Sequence, residues 1–95
     1  MSGKPVIQRE RANRDVEAAV DYYAREASAG TALGFIDALQ SAYRAIAGHP
    51  ALGSPRYAQE LALPGLRGRA LKGFPSLIFY IERESHIDVW RVLQA

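Results

Sequence analysis

Two helical stripes lie almost end to end in the first half of the chain, and the shortness of the join between them limits the fold more than any other feature. From Ala12 the apolar positions run Ala12, Val16, Ala19, Val20, Tyr23 and Ala27, the steps of one helix face, with Asp21 and Arg25 placed as a supportive i,i+4 pair. A second stripe, Ala32, Phe35, Ile36, Leu39, Tyr43 and Ile46, stops at Gly48 with Pro50 just beyond. The pattern predicts that Gly30 ends the first helix and Thr31 caps the second. So short a connection leaves only an antiparallel helix hairpin. Gly34 costs about 1 kcal/mol relative to Ala inside a helix, so it is expected to mark either a close approach between the two helices or a frayed first turn.

The flanking segments read as strands and loop. Lys4 to Arg9 is short and partly apolar, with Pro5 suited only to a strand start or edge. Residues 48–65 hold three of the five prolines and read as a long loop, with one helical turn near Tyr57 to Leu61. Three strands are predicted at Leu66 to Leu71, Leu77 to Glu82 and Ile87 to Leu93, with turns at Lys72 to Ser76 and Arg83 to Ser85. The last two should pair as a hairpin. The order is β-α-α-β-β-β, an α+β fold. It places an N-terminal strand and an antiparallel helix hairpin on one face of a small, mostly antiparallel sheet, all in a single domain over residues 1–95. In Leu77 to Ile81 both parities are apolar, so this strand should be covered on both faces. Alternation leaves open whether Leu77, Phe79 and Ile81 or Ile78 and Tyr80 face the helices. The hairpin covers one face, and residues after Ala95 or another chain are expected to cover the other.

Composition closes off several chemistries. The chain has no cysteine, which excludes disulfides, Cys-ligated zinc, iron–sulfur clusters and a thiol nucleophile, and fits a reducing cytoplasm. No apolar leader and no run of about 18 apolar residues is visible, so a cytoplasmic protein without a membrane partner is expected. Twelve basic residues against ten acidic ones give a net charge of +2. That excess is too small to argue for nucleic acid by itself. Ten of the twelve cations are arginine, suited to bidentate contacts with carboxylate or phosphate.

There is no G-x-S-x-G elbow, no G-x-x-x-x-G-K-[ST] loop and no G-x-G-x-x-G turn. His49 sits in a Gly-His-Pro helix stop, where capping is the expected role. His86 and Asp88 share a strand face, but two ligands fall short of the three or four that zinc takes. No catalytic residue, metal site or cofactor is therefore assigned. What stands out is a basic and aromatic cluster on the predicted sheet, Arg67, Arg69, Lys72, Tyr80, Trp90 and Arg91. These residue types suit single-stranded RNA or a protein interface; the plainer reading is that Tyr80 and Trp90 are core and the arginines a solvated face. Arg91 shares its parity with Ile87, Val89 and Leu93, and a charge on an apolar face requires a partner or a task. Tyr23 belongs to the core stripe and Tyr22 to the exposed side.

A longer pattern runs through the chain. Ala12 to Val16 opens a helix that carries Tyr22 and Tyr23; Phe35 to Leu39, Ile46 to Pro50, Gly53 to Arg56, Leu63 to Arg67, Phe74 and Pro75 before Ile78 to Tyr80, and Ile87 to Leu93 follow in order. Together they resemble the ParE branch of the ParE/RelE toxin superfamily over nearly the whole chain. The resemblance implies the toxin of a type II toxin–antitoxin, or plasmid stabilisation, pair, held in a hetero-oligomer with a ParD-like antitoxin. It implies DNA gyrase as the target, inhibited by binding rather than by chemistry and without sequence-specific nucleic-acid recognition. On this basis Arg67, Arg69, Lys72 and Arg91 are expected to meet the target, and Ile78, Phe79, Tyr80 and Trp90 the antitoxin. RelE-type relatives cleave mRNA on the ribosome, which makes an endonuclease the alternative, and a degenerate toxin that only binds its antitoxin is a third. Relatives usually continue with a His and an Arg-rich stretch after the counterpart of Arg91 to Leu93. Here Gln94 takes the place of that His, which weighs against mRNA cleavage, and the lack of the Arg-rich stretch after it counts against toxicity by either route.

Overall fold

Ser28, rather than Gly30, makes the turn between the helices. The computed structural model describes residues 3–94. In it α1 (Glu10–Glu26) ends at Ala27, whose N–H donates to the Tyr23 carbonyl. The next helix, α2 (Ala29–Gly48), begins at once, with the Ser28 hydroxyl accepting from the Thr31 N–H at 3.0 Å. A serine that satisfies the third N–H of a helix is a strong start signal, and it outcompetes Gly30, which falls inside the first turn of α2. Gly34 is not a helix–helix contact either: a Cβ there would meet Phe74 first, at 3.8 Å, an ordinary packing distance. Gly48 and His49 end α2 as expected, the His49 N–H donating to the Ala45 carbonyl at 2.9 Å.

The remaining elements are β1 (Val6–Gln8), a 3₁₀ turn (Pro50–Leu52), the short helix α3 (Arg56–Glu60), β2 (Leu66–Ala70), β3 (Ser76–Glu82) and β4 (Ile87–Gln94). They form a four-stranded sheet in the order β1-β4-β3-β2, with β1 parallel to β4 and the other pairs antiparallel. The chain is thus α+β in the expected order. Cross-strand partners share a face, so the register separates the two sides of the sheet. Ile78, Tyr80, Ile87, Val89 and Val92 are buried with Ala12, Phe35, Leu39 and Ile46 of the helices in one cluster. Leu77, Phe79, Ile81, Asp88, Arg91 and Leu93 lie on the other side.

That second side does not wait for another chain to the extent expected. Ile81 and Leu66 are buried within this chain. Tyr57 of α3 packs edge-on against Phe79, ring centres 5.2 Å apart. It lies so close to β2 that a Cβ on Gly68 would come within 3.0 Å of its ring, which only glycine permits without a shift. The proline-rich stretch after α2, read from sequence as a loop with one turn, therefore folds over the sheet edge. A ladder contact between Ser54 and Gly68 anchors it there.

Candidate functional site

The register of β4 contains one slip. Phe79 pairs with Arg91 and Tyr80 with Val89, so Trp90 is the extra residue of a β-bulge. The bulge turns Arg91 to the side opposite Val89, correcting the shared parity read from the sequence. Arg91 does have a partner: its Nε and Nη2 donate to the two carboxylate oxygens of Asp15 on α1, at 2.7 and 2.9 Å. The same carboxylate accepts the Val92 N–H at 3.0 Å. Since β1 pairs with β4 only at Ile87, Asp88 and Val89, Asp15 fills part of the strand edge that β1 leaves open.

The other expected target-binding residues go separate ways. Arg67 Nη1 donates to the Gly53 carbonyl at 2.9 Å and ties the loop after α2 to the sheet. Arg69 and Lys72 stay together, lining with Ala38, Ser41 and Ala45 a groove of about 300 Å³ between α2 and the end of β2. Among the described residues neither has an ion-pair partner. Of the four residues expected to meet an antitoxin, Ile78 and Tyr80 are fully buried under the helices and the 3₁₀ turn, with no surface to offer. The Tyr80 hydroxyl accepts from the Gly53 N–H at 2.8 Å and donates to the Pro50 carbonyl at 2.6 Å, so its polar atom is spent on the fold. Phe79 and Trp90 are half-buried on the opposite side.

A second cluster was not legible in the sequence. Asp88, its side chain only 9% exposed, accepts from Arg9 at 3.0 and 2.9 Å, from Arg83 Nε at 3.1 Å and from Trp90 Nε1 at 3.2 Å. The Arg9 guanidinium carbon stands 4.1 Å from the centre of the Trp90 ring. With both oxygens committed to cations and the indole, Asp88 does not act with His86 as a ligand pair; the His86 ring nitrogen lies 3.0 Å from the Ser85 hydroxyl. One signal was available: Asp88 sits between Ile87 and Val89, and a carboxylate in an apolar strand needs partners as much as Arg91 does.

The Asp15 and Asp88 carboxylates respond to pH in the same direction. Burial pushes the Asp15 carboxyl up, but hydrogen bonds from Arg91 and the Val92 N–H outweigh it and hold the group below the usual range. Burial likewise opposes Asp88, and the bonds from Arg9 and Arg83 again prevail. A depressed folded value means the stabilisation is present in full above the unfolded carboxylate value, about 3.9, and is lost as pH falls through the folded values. Urea midpoints should therefore stay nearly flat from about pH 7 to 5 and then drop toward about pH 2, with the drop reduced in Asp15→Asn. An equally steep acid limb in that variant would assign the loss elsewhere.

A third feature is an apolar groove of about 560 Å³ between α1 and the β3–β4 ends, lined by Ala18, Ala19, Tyr22, Tyr23, Pro75 and Leu93 among others. No helix among the described residues is long and apolar enough to cross a membrane. Comparison with known proteins then gives matches at the level of both family and structure. The family model for the ParE toxin of type II toxin–antitoxin system, parDE, matches residues 6–95. Among solved structures, a chain of the chromosomal ParDE toxin–antitoxin system from P. aeruginosa superposes with a TM-score of 0.79 at 17% identity, over 97% of this chain and 96% of that one. No curated protein matches the sequence significantly.

Proposed function

Because the chain belongs to the ParE toxin family of type II toxin–antitoxin systems, we propose that it is the toxin of such a pair, acting on DNA gyrase by binding and silenced by a cognate ParD-like antitoxin. The observation that carries this reading is the family match over residues 6–95. The placement of the cations favours binding over cleavage. Transition-state stabilisation of a phosphodiester needs free donors aimed at the developing charge, whereas Arg91 is held bidentate by Asp15 and Arg67 by the Gly53 carbonyl. Arg69 and Lys72 are the pair of the expected set available to a target, and the half-buried Phe79 and Trp90 the pair available to an antitoxin.

The test is a gyrase supercoiling assay with the purified chain, with and without the antitoxin encoded by the adjoining gene. Inhibition at about micromolar toxin, relieved by stoichiometric antitoxin and weakened in Arg69→Gln/Lys72→Gln, is the expected result. Untouched supercoiling together with ribosome-dependent transcript cleavage would replace gyrase with mRNA as the target. Growth without arrest, with antitoxin binding intact, would leave a partner-binding relic.

A further inference from the structure

The cluster around Asp88 is electrically incomplete. Two guanidinium groups converge on one carboxylate, and Arg9 and Arg83 keep 47% and 42% of their side chains exposed. A guanidinium carries five N–H donors, and Asp88 engages two of Arg9 and no more of Arg83. Each fork thus points unspent donors outward. Its orientation is already fixed, by the buried carboxylate beneath both and by the Trp90 ring against Arg9. Ordering of long side chains is a main cost of binding, and here it is met before any ligand arrives.

We infer that Arg9 and Arg83 form a receptor for one carboxylate side chain of a partner protein, with Asp88 and Trp90 as positioning residues. Two features select a protein carboxylate over a nucleic-acid strand. A strand is held by neutralising a series of phosphates, but acidic groups are interleaved with these cations: Asp88 between the arginines, Glu82 on Lys4, and Glu84 in the adjoining turn. Ile7, paired with Asp88 across β1 and β4 and so on the same side of the sheet, is 53% exposed. A charged fork beside an exposed aliphatic group and a tryptophan matches an acidic residue next to an apolar one in a partner chain. The receptor lies at the β1 edge of the sheet, whereas Arg69 and Lys72 sit at the β2 edge, so it is a separate contact from the proposed target-binding pair.

Trp90 is the sole tryptophan, so its indole fluorescence and N–H resonance report this site directly. The full chain is titrated with a blocked Leu-Glu-Leu peptide, with its Leu-Gln-Leu counterpart, and with a short single-stranded oligonucleotide. The acidic peptide is expected to shift the indole signal saturably, with a midpoint on the order of 1 mM. The amide peptide should give no saturation in that range. Arg83→Gln and Arg9→Gln should each weaken the response about tenfold or more, the loss of one charge-assisted hydrogen bond. Arg83→Lys should fall between, and Arg25→Gln on α1 should match the unaltered chain. Equal midpoints for the two peptides, a stronger response to the oligonucleotide, or an unaltered titration in folded Arg9→Gln and Arg83→Gln would overturn the assignment. So would the absence of any response. The titration uses the isolated chain, so its failure leaves the toxin reading untouched, and a failed gyrase assay leaves this site untouched.

Discussion

Replacing Phe35 with alanine is expected to remove about 3–5 kcal/mol of stability, the largest loss of any single substitution considered for this chain. The ring is fully buried. It stands 5.4 Å from Tyr23 of α1 and 5.4 Å from Phe74 in the β2–β3 turn, and those two rings are 5.3 Å apart. One side chain of α2 thus holds together the other helix and a turn of the sheet. Truncation removes the transfer free energy of the ring, leaves a cavity that three separate elements cannot easily close, and abolishes two aromatic pairs worth about 0.5–1.5 kcal/mol each. A domain of this size has a total stability of about 5–15 kcal/mol, so the variant sits near the edge of folding. Urea denaturation checks it: the midpoint should fall sharply with an unchanged slope. Phe35→Leu, which keeps most of the volume, should lose roughly 1–2 kcal/mol. A loss under about 1 kcal/mol for Phe35→Ala would mean that the helices slide to fill the space.

Where the sequence was legible, the signal was local. The 3.6-residue stripes and the Gly-His-Pro stop located α2 to its last residue, and the apolar runs located β3 and β4 to within one residue at each end. The start of α2 moved by three residues because Ser28 and Thr31 are both cap formers, and only the Thr31 N–H bond to Ser28 decides between them. Strand faces failed for a different reason. Counting by twos assumes an unbroken period, and the bulge at Trp90 breaks it between Val89 and Arg91. The polar clusters lay further out of reach, since Arg9 meets Asp88 across 79 residues and Asp15 meets Arg91 across 76. Such pairs follow from the register of β1 on β4 and the docking of α1, which are products of the whole fold. Tyr80, expected to meet the antitoxin, shows the same limit: Pro50 of the 3₁₀ turn accepts from its hydroxyl and Gly53 just beyond the turn donates to it.

Asp15→Ala is expected to cost about 2–4 kcal/mol, more than its position on a helix surface suggests. Its carboxylate receives three N–H groups at 2.7–3.0 Å, two from the Arg91 fork and one from the Val92 backbone. Removing one member of a fully buried ion pair costs about 3–5 kcal/mol. Arg91 keeps 30% of its side chain exposed and Asp15 14%, so water recovers part of that and the estimate is reduced. The backbone contact adds a consequence that the ion pair alone would not. β1 stops pairing at Val89, and Asp15 is what occupies the β4 edge beyond it; without the carboxylate the Val92 N–H joins an open edge able to pair with another chain. Asp15→Asn separates the two roles, since an amide oxygen still accepts from Val92 but carries no charge for Arg91, and it should lose about half as much as alanine. A double-mutant cycle with Arg91→Ala should return a coupling of at least about 1 kcal/mol. If Asp15→Ala and Arg91→Ala instead proved additive while Asp15→Ala alone self-associated, the edge contact and not the ion pair would be the main work of Asp15. In both cases Arg91 would be released on the side of the sheet that carries Phe79, and the supercoiling assay on Asp15→Asn would show whether its restraint limits or supports target binding.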